Sequence, residues 1–286
     1  MSCRSILVAA TGLEQDVASL FTAARFARAF EARLRIIPLF PDSAADLVYL
    51  GATLGAPVPA EAVAMITAAE HDVQARVERE ARLAAERAGL PIDGPSGPGV
   101  VVQQRGLAPW LALEAALPLA DLLIADAAAT CQGPVAGPVA NALLAARAPL
   151  LVVRPSAPEA FGGSAAIAWD GSAEAGRAVR AGLPLLHRAS GISVLQAPLS
   201  AYARHHSAAD PERLLHYLHL HGLAAGVVRV SGEQEGSALL DAAQELGASL
   251  LISGAWGHSR LRETVFGGAT RTFLHAEEGP NVLLHH

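Results

Sequence analysis

The sequence predicts an α/β protein of two tandem doubly wound domains, each a five-stranded, mainly parallel sheet flanked by helices. Three observations predict it. Short apolar runs alternate with longer stretches whose apolar residues recur at helical spacing. The alternation starts again after a stretch rich in Pro, Ser and Gly at 154–163, which marks an internal repeat and puts domains at 1–157 and 158–286. At 286 residues, 52% hydrophobic and 17% charged, the chain can bury two cores of ordinary size.

Taken in order, 5–10 reads as a buried strand, 15–30 as a helix and 32–40 as a second strand. Residues 41–59 are loop-like, and 60–88 form a long Ala- and charge-rich helix stopped by Gly89 and Pro91. A strand at 100–104, a helix at 107–117, a strand at 121–125, a helix at 139–146 and a strand at 150–153 complete the first half. The second half repeats the scheme. Strands are expected at 165–169, 192–196, 226–230, 250–253 and 282–284, with helices at 173–186, 211–221, 237–246 and 268–275. Mixed charges and a length of about four heptads make the 60–88 helix a packing element rather than a coiled coil.

Composition excludes several functions. A formal charge of −6 with no cluster of basic residues argues against nucleic acid and anionic membranes as partners. All 21 basic residues are Arg, so amine chemistry, a Schiff base and a phosphate-loop lysine are ruled out. Cys3 and Cys131 have neither metal nor redox spacing, and no apolar run reaches membrane-spanning length. Nor does the start have the pattern of a signal peptide, so a cytoplasmic location is expected.

The most informative stretch runs from Ser249 to Arg271. An apolar strand ends at Gly254, Gly257 follows, and after nine more residues Gly267 and Gly268 open a helical pattern. Glycines let backbone N–H groups approach an anion, and a helix start offers unpaired N–H groups and partial positive charge. The first half lacks this set. Aligning 121–126 with 249–254 puts Asp126 at the place of Gly254, Ala129 at that of Gly257, Gly137 at that of Gly267 and Pro138 at that of Gly268, while Thr11 stands where Asp170 does. A strand-end carboxylate repels phosphate, and proline removes an N–H from the helix opening while still suiting a first helical position. The first half is therefore expected to keep the scaffold and to have lost the anion site.

Ala168-Trp169-Asp170-Gly171-Ser172, the Gly-x2-Gly-x9-Gly spacing at 254, 257 and 267, and Arg260-Leu261-Arg262-Glu263 leading into Gly267-Gly268-Ala269-Thr270-Arg271 together resemble the universal stress protein family in its tandem form. Ile6-Leu7-Val8, Gly137-Pro138-Val139-Ala140 and Ala148-Pro149-Leu150-Leu151-Val152-Val153 carry the resemblance in the first half. It implies an adenine nucleotide alpha hydrolase-like sheet of five strands in each domain. It also implies ATP or another adenine nucleotide, with or without Mg2+, in the second domain. Asp170 would lie near the adenosine, and Gly254, Gly257, Gly267 and Gly268 around the phosphates. The family's ATP-binding pattern has Ser or Thr after the last glycine. Here that place is taken by Gly268, with the nearest hydroxyl at Thr270.

Other residues allow two readings. Asp170 could bind nucleotide or help hold Mg2+ beyond a strand end, or it could form a turn that caps the next helix. Arg260 and Arg262 could clamp phosphates or be solvated loop arginines. His205, His206, His216, His219 and His221 make a histidine-rich region that no Cys or consistent carboxylate joins, so an exposed helix flank is expected rather than a metal site. Asp170-Gly171-Ser172 is not a hydrolase nucleophile elbow. The expected protein is a nucleotide-responsive stress protein without turnover, its two halves paired internally with their last strands as the candidate contact, and able to pair with a second copy. The alternatives are a nucleotide-independent scaffold for a protein partner and a weak ATP hydrolase.

Overall fold

The computed structural model describes residues 3–39, 48, 51–53, 55, 58–94, 96–104, 109–131, 136–157, 162–197, 209–232, 235–255 and 268–286. Two compact units emerge, one over Cys3–Ala142 and the other built from Leu143–His286.

In the first unit, strands β1 (Ser5–Ala10), β2 (Arg33–Pro38), β3 (Gly99–Val102) and β4 (Leu122–Asp126) form parallel pairs in the order β3-β2-β1-β4. Their apolar runs are buried because helices cover a parallel sheet. Helix α1 (Asp16–Phe30) buries Leu20, Ala23, Ala24 and Ala27, the i, i+3, i+4, i+7 stripe of a one-sided helix, and ends on Glu31 in the left-handed region. Helix α2 (Ala60–Ala88) ends on left-handed Gly89, which donates its N–H back to the Glu86 carbonyl at 3.0 Å. The short helices α3 (Pro109–Ala116), α4 (Ala127–Cys131) and α5 (Ala136–Leu144) follow, the last running into the second unit. Two local expectations need correction. Val48 and residues 51–53 are helical within the stretch read as loop, and α4 follows β4 directly because the Asp126 carboxylate accepts the Ala128 N–H at 2.8 Å and starts the turn.

The second unit arranges β5 (Leu150–Val153), β6 (Ser164–Ala168), β7 (Ile192–Gln196), β8 (Gly226–Arg229), β9 (Ala248–Gly254) and β10 (Asn281–His285) in the order β5-β10-β9-β6-β7-β8. All pairs are parallel except β5 with β10, where Val152, Leu151 and Leu150 run antiparallel to Val282, Leu283 and Leu284. The last strand of the first half thus packs with the second unit. Helices α6 (Ala173–Leu186), α7 (Pro211–Leu220), α8 (Glu235–Glu245) and α9 (Gly268–His275) flank this sheet. Helix α6 crosses β9 and β10 at Gly182, where an added Cβ would stand 2.6 Å from Ile252 Cδ1 and 3.2 Å from Leu283 Cδ2.

β5 is closed off by a buried polar lock. Arg154 is 2% exposed. Its main-chain N–H donates to Asn281 Oδ1 at 3.0 Å, and Asn281 Nδ2 donates to the Ser249 carbonyl at 3.2 Å, tying β5, β10 and β9 together. Its Nε donates to the Ala276 carbonyl at 2.9 Å, and its two terminal nitrogens donate to the Pro280 and Phe273 carbonyls. Three oriented carbonyls, two of them at the negative end of α9, make burial of the charge tolerable. Asn281→Ala takes partners from two buried main-chain groups. Urea denaturation should register a loss of about 2 kcal/mol, the cost of leaving such groups unsatisfied.

Candidate functional site

In an open parallel sheet, ligands bind beyond the carboxyl ends of the strands, where helix starts face outward. In the second unit this edge begins with Trp169 and Asp170, just past β6. Asp170 Oδ1 accepts the Ser172 N–H at 2.8 Å, and Gly171 takes φ 76°, a value that suits glycine. Ser172 Oγ then accepts the Ala175 N–H at 3.1 Å and caps α6. The turn-forming role of Asp170 is therefore present, and it engages one carboxylate oxygen.

Gly254 ends β9 where α6 begins. A Cβ there would lie 2.6 Å from Ala175 N and 2.9 Å from Glu174 C, so the backbone of the first turn of α6 rests on this glycine. Space alone requires glycine at 254. At Gly268, the exposed first residue of α9, a Cβ would meet nothing within 4 Å, so packing does not exclude a hydroxyl-bearing side chain. Thr270 is buried at 4% exposure. Gly257, Gly267, Trp256, Arg260 and Arg262 lie outside the described residues.

The starts of α8 and α9 meet at Gly236, where a Cβ would come within 2.8 Å of Ala269 Cα and of Thr272 Cβ and Oγ1. This close approach brings in Glu235, a residue the motif reading did not find. Glu235 has an exposed surface, yet its carboxyl pKa is raised, first by desolvation and then by the Asp170 carboxylate. Its sequence signal was an acid beside a glycine at the opening of a helix. Two carboxylates and the positive ends of α6, α8 and α9 therefore share this edge.

Donors are present too. Arg177 pairs with Glu174 at 2.7 Å, but Arg177 Nε and Trp169 Nε1 are buried N–H groups with no hydrogen-bond acceptor among the described residues. His285, at the end of β10, has its pKa lowered by desolvation and by the nearby charges of Arg177, Arg180 and His286. His286 Nδ1 bonds the Ala255 carbonyl at 2.9 Å. His216 and His219 are exposed on α7, and among the described residues no three or more His, Cys, Asp or Glu side chains gather as a metal group. His205 and His206 lie outside the described residues. Cys3 is buried, and desolvation, helped by Asp121, pushes its thiol up to about 12, which keeps it protonated. Among the described residues no helix is long and apolar enough to cross a membrane.

The equivalent edge of the first unit is built differently. Asp16, at the start of α1, is 1% exposed, and its Oδ2 accepts the N–H groups of both Thr11 and Gly12 at 2.6 Å. Its Oδ1 accepts the Thr11 hydroxyl at 3.1 Å. The amides after β1 are thus taken by an internal anion. Asp126, fully buried at the end of β4, adds a second carboxylate.

Desolvation raises the Asp16 pKa from 3.8 to about 6; Asp126 adds to the rise, and the hydrogen bonds of Gly12 and Thr11 oppose it. A pKa raised on folding means that the folded state binds the proton more tightly. The linked stability is complete below about pH 4 and is lost as pH rises through about 6. Asp16→Asn keeps an acceptor for the amides but cannot ionise. Denaturation free energies followed from acid to neutral pH should show the wild type losing about 3 kcal/mol relative to the variant; parallel curves would mean that Asp16 does not titrate in this range. A second expectation concerns Gly254→Ala, which forces a methyl group against backbone that cannot swing away. It should cost about 3 kcal/mol in urea denaturation without any nucleotide present.

No family model matches the sequence, and no curated protein matches it. Solved structures do match. A universal stress protein from Archaeoglobus fulgidus DSM 4304 superposes with a TM-score of 0.68 at 13% identity, covering 99% of this chain and 97% of that one. A functionally unknown protein from Pseudomonas aeruginosa PAO1 gives a TM-score of 0.55 at 16% identity over 99% and 92% of the two chains. At these identities the likeness is one of fold. The chain has the α/β fold of a universal stress protein along its whole length.

Proposed function

We propose that the chain is a tandem universal stress protein whose second half binds ATP or a related adenine nucleotide, and that it works as a nucleotide-responsive binding protein in the cytoplasm. The observation that carries this reading is the convergence of three helix starts on the strand-end edge of Asp170 and Gly254, in a chain with this fold. Unpaired N–H groups at helix starts favour phosphate. Trp169 Nε1 and Arg177 Nε, buried on the same turn-and-helix segment, have no acceptor among the described residues. Asp170 and Glu235 are two carboxylates close enough to feel one another, a pairing that a Mg2+ ion accompanying the nucleotide would relieve.

The first half is proposed to bind no phosphate. The Asp16 carboxylate already occupies the amides after β1, and Asp126 would repel a second anion. Among the described residues of the second-half edge, no nucleophile, base and oxyanion donors come together. Nucleotide should therefore be held rather than turned over, and binding to one state would shift the population offered to a protein partner.

The test is calorimetric titration of Mg-ATP into the full chain. The whole chain is needed because β5 belongs to the sheet of the second unit. One binding event is expected. Asp170→Asn, which keeps the turn acceptor and removes the charge, should weaken it roughly tenfold, about 1.4 kcal/mol. A second reading, a nucleotide-independent interaction scaffold, is favoured by Gly268, where open space could take a hydroxyl and none is present. Absence of any heat at millimolar nucleotide would favour the scaffold; phosphate release during the titration would favour an ATP hydrolase.

A further inference from the structure

Arg154 stands at the end of β5, and its guanidinium is spent on one helix and the loop that follows it. Phe273 lies in the last turn of α9, Ala276 is the first residue past its end, and Pro280 immediately precedes β10. The side chain gathers carbonyls from all three places into a single planar fork. An ammonium cannot reproduce that geometry, because its donors radiate from one point. The main-chain N–H of Arg154 is held separately, by Asn281.

The other end of α9 is where the glycine stretch enters, at Gly268. Between the two ends lie eight residues, a rigid rod of about 12 Å. Its start is packed against α8 at Gly236 with no room for a methyl group, and the Thr272 hydroxyl donates to the Gly268 carbonyl at 2.9 Å. A short rod clamped at its far end and buttressed at its near end has little freedom to re-aim its opening N–H groups. Without the far clamp, the tilt of the rod rests on its side-chain packing.

We propose that Arg154 is a positioning residue for the ligand edge of the second unit: by gripping the C-terminal end of α9, it sets the direction in which the opening amides of that helix point. The inference rests on the nucleotide reading given above. It adds that the segment joining the two halves acts on ligand affinity without touching the ligand. All three guanidinium nitrogens of Arg154 donate at the far end of the helix, so its effect is mechanical and is transmitted along α9.

Three variants of the full chain test this, each assayed by Mg-ATP calorimetry, by amide hydrogen exchange over 268–275 and by urea denaturation. Arg154→Lys keeps a buried cation but not the fork. It should speed exchange in α9 and weaken Mg-ATP roughly tenfold, the scale on which loss of an outer support lowers the affinity of a binding site. Arg154→Met, which removes the charge, should weaken binding at least as much. Asn281→Ala lowers stability without releasing the guanidinium, so its folded fraction should bind with wild-type affinity. Arg154→Lys with faster α9 exchange and unchanged affinity would make the residue a purely structural lock and overturn the proposal. Equal weakening in Asn281→Ala would overturn it as well, since general loosening would then be the cause. Should Arg154→Met fail to fold, the comparison of Arg154→Lys with Asn281→Ala still decides. A wild-type chain that binds no Mg-ATP overturns the nucleotide reading itself, and unaltered α9 exchange in Arg154→Lys overturns the clamp separately.

Discussion

The second unit depends on β10. This strand lies between β9 on one side, in parallel register, and β5 on the other, in antiparallel register, and its residues Val282, Leu283 and Leu284 are at most 1% exposed. A parallel sheet needs both faces covered and both neighbours present for its central strands, because an unpaired buried backbone group costs as much as a lost hydrogen bond. β5 supplies the second neighbour. The polar lock that follows it in sequence then fixes its register, because the N–H of Arg154 can meet Asn281 Oδ1 only when Val152 stands opposite Val282. Apolar pairing would tolerate a slip of two residues, but the Arg154 and Asn281 bonds would not.

The helices are positioned by absent side chains as much as by present ones. Gly182 lets α6 settle onto Ile252 and Leu283, Gly254 admits the first turn of the same helix at the strand end, and Gly236 brings α8 against α9. Each is a place where a methyl group would meet backbone or a tightly held side chain. Together they fix where three helix starts stand along one edge of the sheet, and hence where partial positive charge is concentrated. The geometry of this edge is thus a by-product of close packing. A glycine in a glycine-rich stretch can be there for the helix behind it.

Much of the architecture was legible because it is written in local periodicity. The helix read at 60–88 is present at Ala60–Ala88, the strand read at 250–253 extends only to Ala248–Gly254, and the repeat placed the second set of elements as it did the first. What escaped depends on tertiary context. Asp16 looks like an ordinary acid in a first helical turn, and only the fold shows that its carboxylate is buried on the Thr11 and Gly12 amides. The repeat did point to the last strands of the two halves as neighbours, and β5 pairs with β10, but periodicity could not give the antiparallel sense or the register of that pair. Glu235 was missed because its significance comes from Asp170, which is 65 positions away in sequence and near in space. The helix at Ala127–Cys131 was missed for a simpler reason. The segment lacks the glycines of the second half, but a run of alanines after a capping Asp is a good start for a helix.

The two strand-end edges are different chemical environments built on the same backbone turn. Each has a turn at a strand end, Thr11-Gly12 after β1 and Asp170-Gly171 after β6, with glycine at positive φ, 73° and 76°. In the first, the carboxylate that meets the free amides comes from α1 and is carried out of water, so its charge is costly and its proton affinity is raised. In the second, the carboxylate belongs to the turn itself, accepts a single amide from Ser172 and leaves the helix start to the Ser172 hydroxyl. The same backbone turn therefore serves opposite ends. An acid four residues downstream takes up the Thr11 and Gly12 amides from the following helix, whereas an acid within the turn accepts only the Ser172 N–H. The difference between the two edges lies in which residue of the turn region carries the carboxylate, and it requires no change in the sheet.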